Sequence, residues 1–168
     1  MSDLDRPVAE STPTTFNILF VCTGNTCRSP MATVIAQRAI EDRGWTHVAV
    51  RSAGTAADAT GQPAAELARE VVAEHDLDLA SHRSHPLGPE DVAWADLVLA
   101  MGPANLWTIA ELGGADKVAL ITEFGSAEET PGIADPFGAD IDTYRRTFRQ
   151  LEAAIDAALD RLEPILEP

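Results

Sequence analysis

Phe16-Asn17-Ile18-Leu19-Phe20-Val21 runs directly into Cys22-Thr23-Gly24-Asn25-Thr26-Cys27-Arg28-Ser29-Pro30. The first six residues read as an apolar strand, and a helix-like segment begins at the end of the loop. A strand, a tight Gly-containing loop and a helix N-terminus make an anion cradle: backbone N–H groups and the positive end of the helix dipole face the ligand. Inside it stand a candidate nucleophile, Cys22, and a fixed cation, Arg28. Such a position favours the thiolate form of a cysteine. The planar fork of an arginine matches two oxygens of a phosphate. A nucleophile and a phosphate clamp in one loop point to covalent phosphoryl transfer. The bland alternative is a buried apolar cysteine beside a turning glycine; the Gly-Asn turn and the Ser-Pro helix start weigh against it.

Downstream, strand and helix patterns alternate. The spacing of Met31, Val34, Ile35 and Ala39 predicts a helix from Ser29 to Asp42, ended by Gly44. His47 to Arg51 reads as a strand leading into Ser52-Ala53-Gly54. Pro63 opens a second helix with Leu67, Val71 and Val72 apolar. A short helix is expected over Pro89 to Trp94, a strand over Asp96 to Met101, a helix over Pro103 to Leu112 and a strand over Lys117 to Thr122. A long loop, Glu123 to Ala139, carries Pro131 and Pro136; loops of this length in compact domains are usually functional. The last helix, Ile141 to Leu162, shows a stripe of Tyr144, Phe148, Leu151, Ile155, Leu159 and Leu162 that reads as core packing. This alternation predicts an α/β fold with a parallel sheet, ligands binding at the carboxyl ends of its strands.

At 168 residues the size prior is one domain. Residues 1–15, rich in Asp, Glu, Ser, Thr and Pro, read as a disordered tail, and 16–168 as the domain. The net charge of −15 argues against nucleic acid and anionic membrane as partners. An anionic substrate must therefore be drawn by a local positive site. The two cysteines share one loop, so no disulfide framework is expected. No run is apolar enough to span a membrane, and the N-terminus lacks a basic region followed by an apolar run. The expected location is the cytoplasm. His75, His82 and His85 fit no standard metal-site spacing, and neither metal nor cofactor is implied.

The loop resembles the signature of the low-molecular-weight protein tyrosine phosphatases, Cys-x2-Gly-Asn-x-Cys-Arg-Ser-Pro, at every fixed position from Cys22 to Pro30. The resemblance extends from about Phe16 to near the C-terminus. It implies a single three-layer domain with a four-stranded, flavodoxin-like sheet of order 2-1-3-4 and helices on both faces. It also implies a phosphatase acting on phosphorylated protein side chains. Cys22 would form a phosphocysteine, while Arg28 and the loop Thr23–Ser29 would carry the equatorial oxygens. Asp135, in an Asp-Pro-aromatic match with Pro136 and Phe137, would be the acid and then the base; a plain Asp-Pro turn is the bland reading. Asp140 reads as an N-cap for the last helix. Ser29 has two readings, a hydrogen bond to the Cys22 thiolate and a helix N-cap. Asn25 suits a left-handed backbone, and in the family its side chain is tied to a Ser and a His. The matching residues are Ser52 and His82, from Ser-Ala-Gly and Ser81-His82-Arg83.

Three positions depart from the tyrosine-specific pattern. Thr26 stands where many relatives carry a bulky aliphatic residue, Gly138 where a second aromatic is usual, and Thr33 where Glu is frequent. The first two open the slot and add a hydroxyl, which suits a planar guanidinium better than a phenol. They resemble the bacterial protein arginine phosphatase branch. Phosphoarginine is therefore the expected substrate group, with phosphotyrosine the alternative. Cys27 either packs or traps oxidised Cys22 as a disulfide, and the second is preferred. Two other classes remain: an arsenate reductase, whose thioredoxin-coupled form needs further downstream cysteines, and a phosphoprotein-binding module, which would lose nucleophile or acid.

Overall fold

The computed structural model describes residues 15–125 and 131–166. The reading of 1–15 as a tail thus falls outside it, apart from Thr15. The central strand β1 (Phe16–Cys22) shows how the layers arise. Side chains alternate across a strand. Ile18, Phe20 and Cys22 enter one core with Met31, Ile35, Leu151 and Ile155. Leu19 and Val21 enter the other, with Val98, Ala100 and Ile109. Both faces are apolar because both are covered. One cover is α1 (Arg28–Asp42) with α6 (Ile141–Leu166). The other is α3 (Pro89–Trp94) with α4 (Pro103–Ile109).

The sheet contains β1, β2 (Val48–Gly54), β3 (Leu97–Ala100) and β4 (Val118–Leu120), all parallel, in the order β2-β1-β3-β4. The expected three-layer α/β architecture and strand order are both present. The connections leave β1 in opposite directions, so a crevice opens at its carboxyl end, where Cys22 sits opposite Gly54.

Element ends differ from the sequence reading for identifiable reasons. The second helix, α2 (Glu66–Ala73), starts after Ala65 rather than at Pro63. The Ala65 N–H donates to the Thr26 carbonyl at 2.9 Å, which holds the preceding segment extended against the loop. β2 runs on to Gly54 because its ladder with β1 continues through Cys22. The helix expected to reach Leu112 is regular only to Ile109. A π turn follows over Ala110–Gly114, with Gly113 at φ 99°. β4 ends at Leu120, and the chain turns into α5 (Ile121–Phe124) instead of extending to Thr122.

α6 continues past Leu162 to Leu166 with Pro164 inside it. Leu162 and Leu166 are both buried. Burying Leu166 contributes roughly 1.5–3 kcal/mol, comparable with the ~3 kcal/mol cost of an internal proline. Among the described residues no helix is long and apolar enough to cross a membrane.

Candidate active site

Cys22 is the last residue of β1 and is 2% exposed. Two groups touch its sulfur: the Asn25 N–H donates to Sγ at 3.2 Å, and Ser29 Oγ lies 2.9 Å away. Asn25 has φ 56°, in the left-handed region that turns its amide back toward the sulfur.

The side chain of Asn25 orders the rest. Its Oδ1 accepts the His85 backbone N–H at 2.9 Å, which fixes the amide orientation. Its Nδ2 then donates to Ser29 Oγ at 2.7 Å and to Ser52 Oγ at 2.9 Å. With the Ser29 oxygen accepting from Asn25, the Ser29 hydroxyl is left to donate to Cys22 Sγ. The N-cap reading of Ser29 is corrected: α1 begins at Arg28, its N-cap is Cys27, and no side chain caps it. His82 meets Asn25 differently from expectation. Its Nε2 bonds to the Asn25 backbone carbonyl at 2.8 Å, not to the side chain. Burial is the main cause that lowers the His82 pKa, so the ring tends to be neutral. Thr33 donates to the Ser29 carbonyl at 2.9 Å, one turn back along α1.

Asp135 and Phe137 reach this loop across more than a hundred residues. The Ile133 N–H donates to the Met101 carbonyl at 2.7 Å, just beyond β3. Gly132 makes that approach possible: its φ is 108°, and a Cβ there would stand 2.3 Å from the Met101 oxygen. Gly54 does the same on the other flank, where a Cβ would meet the Thr23 carbonyl at 2.6 Å. Arg28 is buried; its Nη1 donates to the Ile133 carbonyl at 2.9 Å, and its Nη2 lies 3.7 Å from Asp135 Oδ2. Its buried Nε has no acceptor among the described residues and is a donor available to an anion.

Cys22, Thr23, Gly24, Asn25, Thr26, Cys27 and Arg28 line one cavity of about 230 Å³ together with Asp135 and Phe137. Ser29 lies beneath it, fully buried. Phe137 is 75% exposed at the mouth. A larger groove of about 560 Å³ lies between α1 and α6, but it contains no cysteine to act as nucleophile. Asp140 caps α6 by accepting the Thr143 N–H at 2.9 Å, which separates it from Asp135 in role.

Three contributors were not legible in the sequence. Asn105 is buried in α4; its Nδ2 lies 3.3 Å from both Thr23 Oγ1 and Thr55 Oγ1, tying the phosphate-loop side chain to the strand β2 exit. Gly-Pro-x-Asn reads as a helix start, and that local role hides the distant one. The His85 contribution is a backbone N–H, which no side-chain pattern signals. Tyr144 was read as core, yet its hydroxyl meets Cys27 Sγ at 3.3 Å. Burial raises the pKa of both Cys27 and Tyr144, so this pair is a thiol and a phenol.

The network is testable. Asn25→Ala is expected to lower kcat on p-nitrophenyl phosphate about tenfold and to cost roughly 2–4 kcal/mol in urea denaturation, from lost hydrogen bonds and left-handed strain. Asn25→Gly should recover about 1 kcal/mol of that stability without recovering kcat. Recovery of both would mean that only the backbone angle matters.

Residues 17–164 match the family model described as low molecular weight phosphotyrosine protein phosphatase. A protein-arginine-phosphatase of Geobacillus stearothermophilus is 40% identical over 150 residues, covering 88% of this chain and 97% of the relative. One from Bacillus subtilis is 42% identical over 138 residues, covering 81% and 89%. The solved structure of a low molecular weight protein tyrosine phosphatase from T. tengcongensis superposes with a TM-score of 0.82 at 37% identity, covering 88% of this chain and all of the other. A loop carrying Cys22 and Arg28 at the end of β1, Asp135 beside it and this likeness over most of the length converge: the chain belongs to the low molecular weight phosphotyrosine protein phosphatase family and is a hydrolase of that family.

Proposed function

We propose that the protein removes the phosphoryl group from phosphoarginine side chains of proteins, with Cys22, Arg28 and Asp135 as its catalytic residues. The Cys22 thiolate attacks phosphorus in line, the S–P bond forms and the P–N bond breaks. Asp135, as the acid, gives its proton to the departing guanidine nitrogen. Arg28 and the loop amides carry the charge on the three equatorial oxygens. Water then attacks the phosphocysteine with Asp135 as base; the S–P bond breaks, inorganic phosphate leaves and the thiolate returns. Ser29, Asn25, Ser52 and His82 support the loop. The catalytic unit is residues 16–168, and a nucleophilic cysteine suits the reducing cytoplasm.

The observation that carries the substrate reading is the wall of the cavity. Thr26 lines it opposite no second aromatic; Phe137 alone supplies a ring, and Gly138 follows with φ 83°. A hydroxyl and an open side suit a guanidinium, whose N–H groups need acceptors. Two relatives named protein-arginine-phosphatase, at 40% and 42% identity, support it. Phosphotyrosine is the second reading, favoured by the exposed face of Phe137, on which a phenol ring can stack.

The deciding experiment is kcat/KM on matched phosphoarginine and phosphotyrosine peptides. Wild type is expected to prefer phosphoarginine by at least about tenfold, and Thr26→Ile to erase or reverse that preference, since a site built to bond a polar group loses that discrimination with the bond. An unchanged ratio in Thr26→Ile would sink the role given to Thr26. A phosphotyrosine preference in wild type would leave the mechanism and overturn the substrate.

A further inference from the structure

On the far side of Asn25 from Cys22 lies a second cavity, of about 370 Å³, lined by Thr33, Arg51, Ser52, His82, Arg83, His85 and Asp91. We infer that this cavity, at the open β2 edge of the sheet, is a second binding site for a phosphoryl group, formed chiefly by Arg51, Arg83 and Ser52.

The charge distribution points to an anion. The chain carries a net −15, yet this cavity gathers two guanidiniums against one carboxylate. That carboxylate is already occupied: Asp91 holds His85 Nε2 at 3.0 Å and accepts the Gly88 N–H at 2.8 Å. Neither Arg51 nor Arg83 has a carboxylate partner among the described residues. Other arginines in the structure do: Arg43 bonds to Asp156 and Asp160, and Arg145 to Glu74 and Asp142.

The two arginines are also pre-positioned. The Arg51 guanidinium carbon stands 4.2 Å from the centroid of the Trp94 ring, a cation–π contact that restricts its fork. Arg83 is anchored through Nη1 to the His82 carbonyl at 2.7 Å, leaving its other donors unengaged. One hydroxyl completes the set. Ser52 accepts from Asn25, so its hydroxyl proton is available. His82 donates its Nε2–H to the Asn25 carbonyl, so in the neutral ring Nδ1 is an acceptor, and His82 serves as a wall of the cavity and not as a donor to the anion. Bidentate arginine together with a hydroxyl donor is the chemistry of phosphate recognition. Ser52 and His82, which line this cavity, both hold Asn25, which lines the cavity at Cys22. The anion comes either from inorganic phosphate, the product of the first site, or from a second phosphorylated side chain on a protein substrate.

The test uses the whole protein with saturating vanadate on the Cys22 loop, confirmed by shifts of the Gly24 and Asn25 amides. Inorganic phosphate is then titrated while the ring C–H resonances of His82 and His85 are followed by NMR. The expected result is a saturable shift of both rings in the presence of vanadate, weakened about tenfold by either Arg51→Ala or Arg83→Ala and lost in the double variant. Absence of a saturable shift, or its persistence in the double variant, overturns the site. A phosphoserine peptide titrated in parallel separates the sources. Saturation at tenfold or more lower concentration than inorganic phosphate assigns the site to phosphoprotein; equal concentrations assign it to the free anion. Failure of vanadate to shift the Gly24 and Asn25 amides would count instead against the phosphate loop at Cys22, so the two readings fail separately.

Discussion

Cys22→Ser is expected to lower kcat by at least about 10⁴-fold on any phosphorylated substrate, the scale on which enzymes lose activity when the nucleophile goes. Among the described residues, no base hydrogen-bonds to the position of the hydroxyl that replaces the thiol. Its neighbours at this position are the Asn25 N–H and the Ser29 hydroxyl, both donors aimed at the sulfur. They stabilise an anion and take no proton. A thiol ionises readily enough to exploit such a site, whereas an alcohol does not. Stopped-flow and steady-state assays on a phosphoarginine peptide should show neither turnover nor a burst, while vanadate binding stays within a few-fold of wild type because Arg28 and the loop amides are untouched. Residual turnover within a hundredfold of wild type would mean that another group attacks phosphorus.

Asp135→Asn is expected to reduce kcat by about 10² to 10³-fold, the usual share of a general acid–base group. The amide cannot donate to the leaving nitrogen in the first step, and it cannot take a proton from water in the second. KM should change little, because Asp135 is half exposed at 50% and its contact with Arg28, at 3.7 Å, is a loose one. A matched substrate separates the two steps. A phosphorylated group that leaves without protonation should restore the first step only, so phosphocysteine should accumulate as a burst equal to the enzyme concentration. A loss confined to KM would reassign Asp135 to binding. Comparable activity in Asp135→Asn and wild type would move the proton chemistry to another carboxylate; Asp140 is a poor substitute, since Thr143 occupies its Oδ1 through both N–H and hydroxyl.

Reading the chain alone was most effective where chemistry and local backbone coincide. Gly24-Asn25 and the Ser29-Pro30 helix start lie within nine residues of Cys22, and the left-handed angle of Asn25 follows from its own side chain. Strand β1 was legible from its continuous apolar run, because a strand covered on both faces has no polar side to interrupt it. The ends of α2, β4 and α6 were not legible. The start of α2 and the end of α6 depend on contacts remote in sequence: the Thr26 carbonyl for α2 and the buried position of Leu166 for α6. A local propensity contains no information about such partners.

The sequence by itself thus determined the fold class and the candidates for nucleophile, cation and acid, because residue type and short spacing already suggest an anion cradle and a carboxylate that can reach it. Only the tertiary structure decided how the site is held. Ser29 is left to donate to Cys22 because Asn25 occupies its oxygen, and Asn25 faces that way because a backbone N–H at His85 takes the other end of its amide. His82 bonds to a carbonyl rather than to a side chain, and Asn105 and Tyr144 reach Thr23 and Cys27 from elements far along the chain. Hydrogen-bond direction depends on which lone pair and which proton are already engaged, and that is a property of atoms brought together in space, which no order of residues along a chain records.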